Sequence, residues 1–309
     1  METGSSFWMP AQSSTFAGDV DNLYFFIYWL CVFFFVIIAG GTVLFAWKYR
    51  RKHEDQLAVA QVTHALAWEA AWTIIPTILV VVIFAWSFKV YMNLQVAPAD
   101  AAEYRVVAKQ WAWEFTEPDG CQTYGELHIP AGKPVKLLMR SEDVLHSFFV
   151  PDFRVKQDLV PGRYTGLWFE VPKANAQGHQ LFCTEYCGTS HSEMLGKVIV
   201  HTPEEMAQKS WCSVKATPAA GEKIFKNLCA PCHSPGDTRL VGPGFKGLFG
   251  KDEKLVGGAT VKVDENYIIE SIRNPTAKVV DTYPPAMPPF PQLKDAEIDA
   301  IIMYIKTLQ

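Results

Sequence analysis

The sequence predicts a multi-domain membrane protein in three parts: an N-terminal two-helix transmembrane hairpin, an all-β sandwich and a C-terminal all-α domain. Three observations predict it. Two long apolar runs without charge lie within the first 94 residues, short strand-like runs broken by proline and glycine fill the middle, and the chain closes on isoleucines at helical spacing. A length of 309 residues allows about two domains at roughly 150 residues each, but a mean hydropathy of +0.05 with 20 Phe and 10 Trp is too apolar for an ordinary soluble pair. The net charge of −4 excludes a strongly basic nucleic-acid binder. No phosphate-cradling glycine loop or Ser/His/Asp array is visible.

Residues 1–22 form an external N-terminal segment, with neither the basic start nor the apolar stretch of a secretory signal. The hairpin covers 23–94. Its first span, Leu23 to Trp47, is 25 residues without charge, and at about 1.5 Å per residue it crosses a hydrocarbon core of about 30 Å with some tilt. Its second, Ala70 to Phe88, contains Pro76, which a membrane helix tolerates when a neighbour satisfies the freed carbonyl. Lys48, Arg50, Arg51 and Lys52 lie between the spans, whereas the 22 preceding residues hold no Lys or Arg. Positive charge stays inside, so both termini are external. Two buried helices of a soluble protein would not explain charge-free runs of this length beside a basic loop.

Residues 95–201 carry strand-like runs at Tyr104 to Ala108, Gln110 to Phe115, Val135 to Met139, Thr165 to Val171, His179 to Thr184 and Lys197 to His201. Such spacing suggests a β-sandwich or barrel. Residues 202–217 read as a linker, which as a flexible coil would reach roughly 20–24 Å. Residues 218–309 make the last domain, where Ile298, Ile301, Ile302 and Ile305 share one helical face.

The segment from Cys183 to Met194 packs two thiols, an imidazole and a thioether into one loop, Cys-Thr-Glu-Tyr-Cys-Gly-Thr-Ser-His-Ser-Glu-Met. Thiolate and thioether favour copper, and imidazole suits copper as well as zinc. Cys183 and Cys187 can direct both sulfurs at one place and, with His191 and Met194, serve two ions bridged by shared thiolates. His146 is the best further ligand, because its run Val-Leu-His-Ser-Phe-Phe-Val-Pro is apolar and strand-like. The competing readings are a structural zinc site, in which Met194 would have no role, and a Cys183–Cys187 disulfide.

Near the other end, Cys229-Ala-Pro-Cys232-His233 has the C-x-x-C-H spacing of covalent c-type haem attachment. The two thiols on one helical turn reach the two vinyl groups, and His233 then faces the iron. The alternative is a redox dithiol followed by a chance histidine. A thioether as the sixth ligand raises the potential. Met287, in the proline-stiffened Tyr283-Pro-Pro-Ala-Met-Pro-Pro-Phe290, is the expected one. Met303, in the C-terminal helix, is the competitor and the more ordinary core filler.

At the copper-favouring loop and His146 the chain resembles subunit II of haem-copper cytochrome c oxidases, residue for residue, and from about Pro218 to Gln309 it resembles a class I cytochrome c. The resemblance implies a cupredoxin sandwich holding a binuclear copper centre (Cu-A). Cys183 and Cys187 would bridge the coppers, His146 and His191 would each hold one, and Met194 and the Glu185 carbonyl would complete the two spheres. It further implies a magnesium or manganese ion at the Glu185 side chain, facing the catalytic subunit. Glu69 matches a glutamate that opens a proton-uptake path in many oxidases; its other reading is a solvated helix-end charge. Trp111, in Gln-Trp-Ala-Trp-Glu, matches the aromatic residue through which electrons arrive from cytochrome c, although Ala112 replaces a common tyrosine, and its other reading is sandwich core. Lys156, Asp158 and Arg163 match residues facing the catalytic subunit. Both sites read as fully coordinated by protein, so this chain carries electrons and does not bind oxygen.

The function expected is that of the electron-transfer subunit of a terminal respiratory oxidase. Electrons pass from an external donor (cytochrome c or a donor complex) through haem c and Cu-A to catalytic subunit I, which reduces oxygen to water with proton pumping beside other oxidase subunits. The setting is a bacterial cytoplasmic (inner) membrane, multi-pass, with copper and haem domains on the periplasmic side. The alternatives are the copper subunit of a Cu-A-type nitric oxide reductase and a copper-delivery protein, for which a covalent haem has no purpose. Three of the seven cysteines remain: Cys31, in the first span, and Cys121 and Cys212. An oxidising compartment permits a disulfide between the last two, and no spacing rule selects it.

Overall fold

A computed structural model describes residues 6–56, 64–209, 211–212 and 216–309. Residues 1–5 of the N-terminal segment, 57–63 of the hairpin loop, and 210 and 213–215 of the linker lie outside the described residues. The chain divides into two compact units, one of residues 15–97 and one combining 1–14 with 98–309.

In the first unit, α1 (Ala17–Lys48) and α2 (Leu66–Gln95) contain both apolar runs and extend beyond them. α1 starts inside the N-terminal segment, because Ala17–Asn22 carries no breaker beyond Gly18 and Asp19 sits favourably in the first turn. The apolar windows have mean hydropathies of 2.5 and 2.1, and none of their residues is buried in protein. A helix apolar on every face needs lipid or a large core around it. The pair meets through the Phe26 and Trp86 rings, 5.4 Å apart.

In the second unit, alternation of inward and outward side chains builds two five-stranded sheets. One has the order β3 (Gln122–Tyr124), β2 (Ala112–Thr116), β1 (Ala102–Lys109), β5 (Pro134–Ser141), β8 (Thr165–Glu170). The other has the order β4 (Glu126–Pro130), β10 (Leu195–His201), β9 (Asn175–Cys183), β6 (His146–Val150), β7 (Val155–Leu159). Trp113, Phe115, Leu137, Phe148, Phe169 and Leu181 are fully buried between them. Each such side chain contributes about 1.5–3 kcal/mol by leaving water. All six expected strand runs overlap these strands. The expected Gln110–Phe115 run begins only at Ala112, since Gln110 and Trp111 form the turn from β1 into β2.

The linker departs from the flexible coil expected of it. Pro203–Gln208 is a helix, α3, opened by a capping box between Thr202 and Glu205. Beyond it Lys209 pairs with Glu117 and Asp119. The Trp211 indole stacks on the rings of His128 and His201, at 4.5 and 4.1 Å, and donates to Glu117 at 2.6 Å. Cys212 is disulfide-bonded to Cys121. Such a strap has far less reach than a free coil of the same length.

The last domain comprises α4 (Pro218–Ile224), a helical turn through Cys229, α5 (Glu265–Arg273) and α6 (Asp295–Thr307). One departure from an all-helical domain is the two-stranded hairpin of β11 (Asp252–Lys254) and β12 (Thr260–Lys262). α4 and α6 cross so closely that a Cβ on Gly221 would overlap the Ala300 carbonyl. The four isoleucines of α6 are buried, whereas Met303 is 41% exposed on its outer side.

Candidate functional site

β6 begins at His146, β9 ends at Cys183, and the loop from there to β10 returns past Cys187, His191 and Met194. The sandwich therefore brings the six residues expected around one metal centre to the same end of the fold. Nitrogen and sulfur donors of His146, Cys183 and Cys187 lie within 4.8 Å of one another. The Cys183 and Cys187 sulfurs are 3.9 Å apart, with Nδ1 of His146 3.8 Å from the first and Nδ1 of His191 3.3 Å from the second. Met194 Sδ is 3.8 Å from Cys187 Sγ, and the Glu185 carbonyl oxygen is 3.3 Å from Cys183 Sγ.

The imidazole of His146 is oriented from behind. Its Nε2–H donates to Asp143 Oδ1 at 2.8 Å, which leaves Nδ1 as a lone pair towards the sulfurs. Asp143 is fixed in turn by the backbone N–H groups of Gln110 and Val144. Burial favours its protonated form, but the hydrogen bonds from His146 and these amides prevail and hold the carboxyl below its ordinary value. Trp113 is buried against His146 and donates to the Met194 carbonyl at 3.4 Å. Burial, then the adjacent Cys183 sulfur, push the Cys187 thiol up to about 12. Burial acts the same way on Cys183, yet the His146 hydrogen bond brings it down. Two thiolates this close therefore need a cation between them. Two sulfurs, two imidazole nitrogens, a thioether and a carbonyl form a soft, largely buried donor set that fits copper.

The second group lies around a cavity of about 1310 Å³, open mouth included, lined by Cys229, Cys232, His233 and Met287. His233 donates Nδ1–H to the Pro243 carbonyl at 2.8 Å, which leaves Nε2 free for iron. Gly242 packs on the ring, where a Cβ would come within 2.4 Å of Cε1. Burial holds His233 below its ordinary value and so favours its neutral form, the one able to ligate a metal. Burial pushes the Cys229 thiol up to about 12 and Cys232 in the same direction. Thiols so held stay protonated at neutral pH and are poor partners for dithiol exchange. Met303 is not among the lining residues.

Trp111 joins the two groups. It lines the cavity around Cys229, Cys232 and His233 together with Gln110, and both side chains donate to the Cys187 carbonyl, at 3.0 Å from Trp111 Nε1 and 2.7 Å from Gln110 Nε2. Gly188 makes that approach possible: its φ is +119°, and a Cβ there would lie 2.9 Å from the indole. The other expected residues are apart from both groups. Glu69 belongs to the helical unit, where Oε1 accepts the Ala65 N–H at 3.1 Å and closes the first turn of α2. Lys156, Asp158 and Arg163 are exposed on β7 and the loop after it. Sequence reasoning missed Asp143, Gln110, Ser190 and the His128–His201–Trp211 stack. A turn-forming Ser-Glu-Asp three residues before His146 was the signal for the first; the rest depend on contacts between distant segments.

Three family models match the chain: the transmembrane domain of cytochrome c oxidase subunit II over residues 3–90, its periplasmic domain over 121–202, and cytochrome c over 218–309. Cytochrome c oxidase subunit 2 of Alkalihalophilus pseudofirmus is 30% identical, with 94% of this chain and 86% of that one aligned. The subunit 2 of Thermostichus vulcanus is also 30% identical, over 65% of this chain and 79% of its own. Among solved structures, the periplasmic domain of subunit II of cytochrome oxidase of Bradyrhizobium japonicum aligns with 37% of this chain and 93% of its own, at 26% identity and a TM-score of 0.35. With two membrane-compatible helices, a β-sandwich bearing the metal donors and a haem-attachment domain in one polypeptide, the chain belongs to the cytochrome c oxidase subunit II family, in the form that carries a C-terminal cytochrome c domain.

Proposed function

We propose that this chain moves electrons one at a time from an external donor, through haem c and a binuclear Cu-A centre, to a catalytic subunit that reduces oxygen to water and pumps protons across a bacterial inner membrane. The observation that carries the reading is Trp111, which lines the cavity that holds Cys229, Cys232, His233 and Met287 and hydrogen-bonds the carbonyl of Cys187. Copper bound by Cys183, Cys187, His146, His191, Met194 and the Glu185 carbonyl would supply a one-electron centre that changes geometry little between oxidation states. Asp143 and Trp113 keep the His146 ring and the Met194 segment in place, and the fully buried sandwich beneath limits rearrangement. Cys229 and Cys232 would hold the haem covalently, with His233 and Met287 on the iron. The Glu185 side chain takes a magnesium or manganese ion shared with the catalytic subunit, and Glu69 serves proton uptake.

In the purified complex, Cys183→Ser or Cys187→Ser abolishes the seven-line mixed-valence copper signal, because a serine hydroxyl cannot replace a bridging thiolate at neutral pH. Oxygen consumption with a cytochrome c donor falls in step. Survival of the seven-line signal in either variant would refute the bridging assignment, and a complex that consumed nitric oxide but not oxygen would refute the terminal reaction.

A further inference from the structure

The metal loop and the haem-attachment loop touch directly. Ser190, 8% exposed, donates its hydroxyl to the Pro231 carbonyl at 2.8 Å. The neighbours of these two residues give the contact its meaning. Ser190 is bonded to His191, and Pro231 is bonded to Cys232. A serine in a turn ordinarily bonds its own loop or water; this one crosses between domains.

Further contacts press the same two domains together. Asn227 donates to the Tyr124 carbonyl at 2.8 Å, packed over Gly125, where any Cβ would collide with it. Lys223 pairs with Glu126 at 2.5 Å. These fix the domain as a whole, whereas Ser190 acts at the two loops that carry the ligands.

We infer that Ser190 is a positioning residue that latches the Cys229–His233 loop onto the metal loop, setting one fixed separation between haem and copper. It also supplies a hydrogen-bonded bridge to His191, separate from the one through Trp111. The inference rests on the two sites being filled as proposed above. One electron crosses: ferrous iron becomes ferric as the copper pair is reduced by one unit, and no bond breaks and no proton moves. Electron tunnelling falls steeply with the width of a through-space gap, and a hydrogen bond is a narrower gap than a van der Waals contact.

The test uses the full complex with Ser190→Ala, Ser190→Thr and, as control, Ser192→Ala, whose hydroxyl is exposed and bonds only its neighbour Glu193 among the described contacts. Three readouts are taken: amide exchange over residues 188–192 and 229–233, the enhancement of copper spin relaxation by ferric haem, and the flash-initiated haem-to-copper rate. Removing the buried hydrogen bond in Ser190→Ala speeds exchange of both segments roughly tenfold. It also weakens the relaxation enhancement and slows transfer several-fold, with the copper spectrum and haem potential unchanged. Ser190→Thr restores the parent behaviour, and Ser192→Ala never leaves it. Parental exchange and relaxation in Ser190→Ala would overturn the inference alone. So would an altered copper spectrum, since the residue would then act on His191 and not on docking. A parent complex lacking either the copper signal or the haem band would overturn the site reading and the inference together.

Discussion

Residue spacing alone picked out most of the candidate donors that the fold gathers, because both motifs are local. Cys183 to Met194 and Cys229 to His233 each lie on one short segment, so their geometry was readable before any fold was known. His146 needed more, and what made it legible was an imidazole inside an apolar strand. Asp143 was not legible as its partner, since that role depends on a turn that carries the carboxylate back to Nε2. The methionine choice tests the local reading. Met287 lines the cavity and Met303 is exposed on the outer side of α6. Met287→Ala should therefore remove the sulfur-to-iron band at the red end of the spectrum. It should also lower the haem potential by on the order of 0.1 V, within the roughly 0.8 V that axial ligands span, while Met303→Leu leaves both unchanged. The reverse pattern in a spectrophotometric redox titration would move the sixth ligand to Met303.

At the scale of elements, the periodic ones were legible and the strap was not. Charge-free runs, period-two strands and the isoleucine face of α6 each announce themselves within a window of about a dozen residues. Residues 202–217 offered only composition, because their anchors Glu117, Cys121, His128 and His201 come from other parts of the chain. A disulfide closing a loop of 91 residues contributes up to about 4–5 kcal/mol through the unfolded state. Cys212→Ser should lower the unfolding temperature of the periplasmic part by roughly 10 °C, measured by calorimetry with copper and haem bound. A shift within about 2 °C, which corresponds to less than about 1 kcal/mol at this size, would mean that Trp211 and Lys209 hold the strap unaided. The strap also responds to pH. Burial, then the adjacent His128, hold His201 below its ordinary value, against the pull of Glu205 and Glu117. The unfolded state then binds more protons in the window below about pH 6.5, so stability contributed by neutral His201 is lost as pH falls through that window. Amide protection of residues 202–212 should decline between about pH 7 and pH 5, and His201→Gln should flatten that decline. An unchanged slope in the variant would assign the pH response elsewhere.

At the scale of the whole molecule, the fusion of two redox domains is the feature the parts explain together. A flexible linker would hold the haem near the copper at an effective concentration on the order of millimolar. The strap, the Lys223–Glu126 pair and the Asn227–Tyr124 hydrogen bond go further and seat the haem domain on the sandwich. On the proposed reading, transfer between the two sites would need no encounter, and the surface charges that steer separate proteins would have no part in it. The most direct measurement is flash-initiated reduction of haem c in the purified complex, followed by the growth of reduced copper in its near-infrared band. The account predicts a single rate, unchanged over a hundredfold dilution and between about 0.01 and 0.5 M salt, a range over which the screening length of exposed charges shrinks several-fold. A rate that fell in proportion to protein concentration, or dropped steeply with salt, would show that the haem domain reaches the copper by collision and that this chain does not conduct through its own interior.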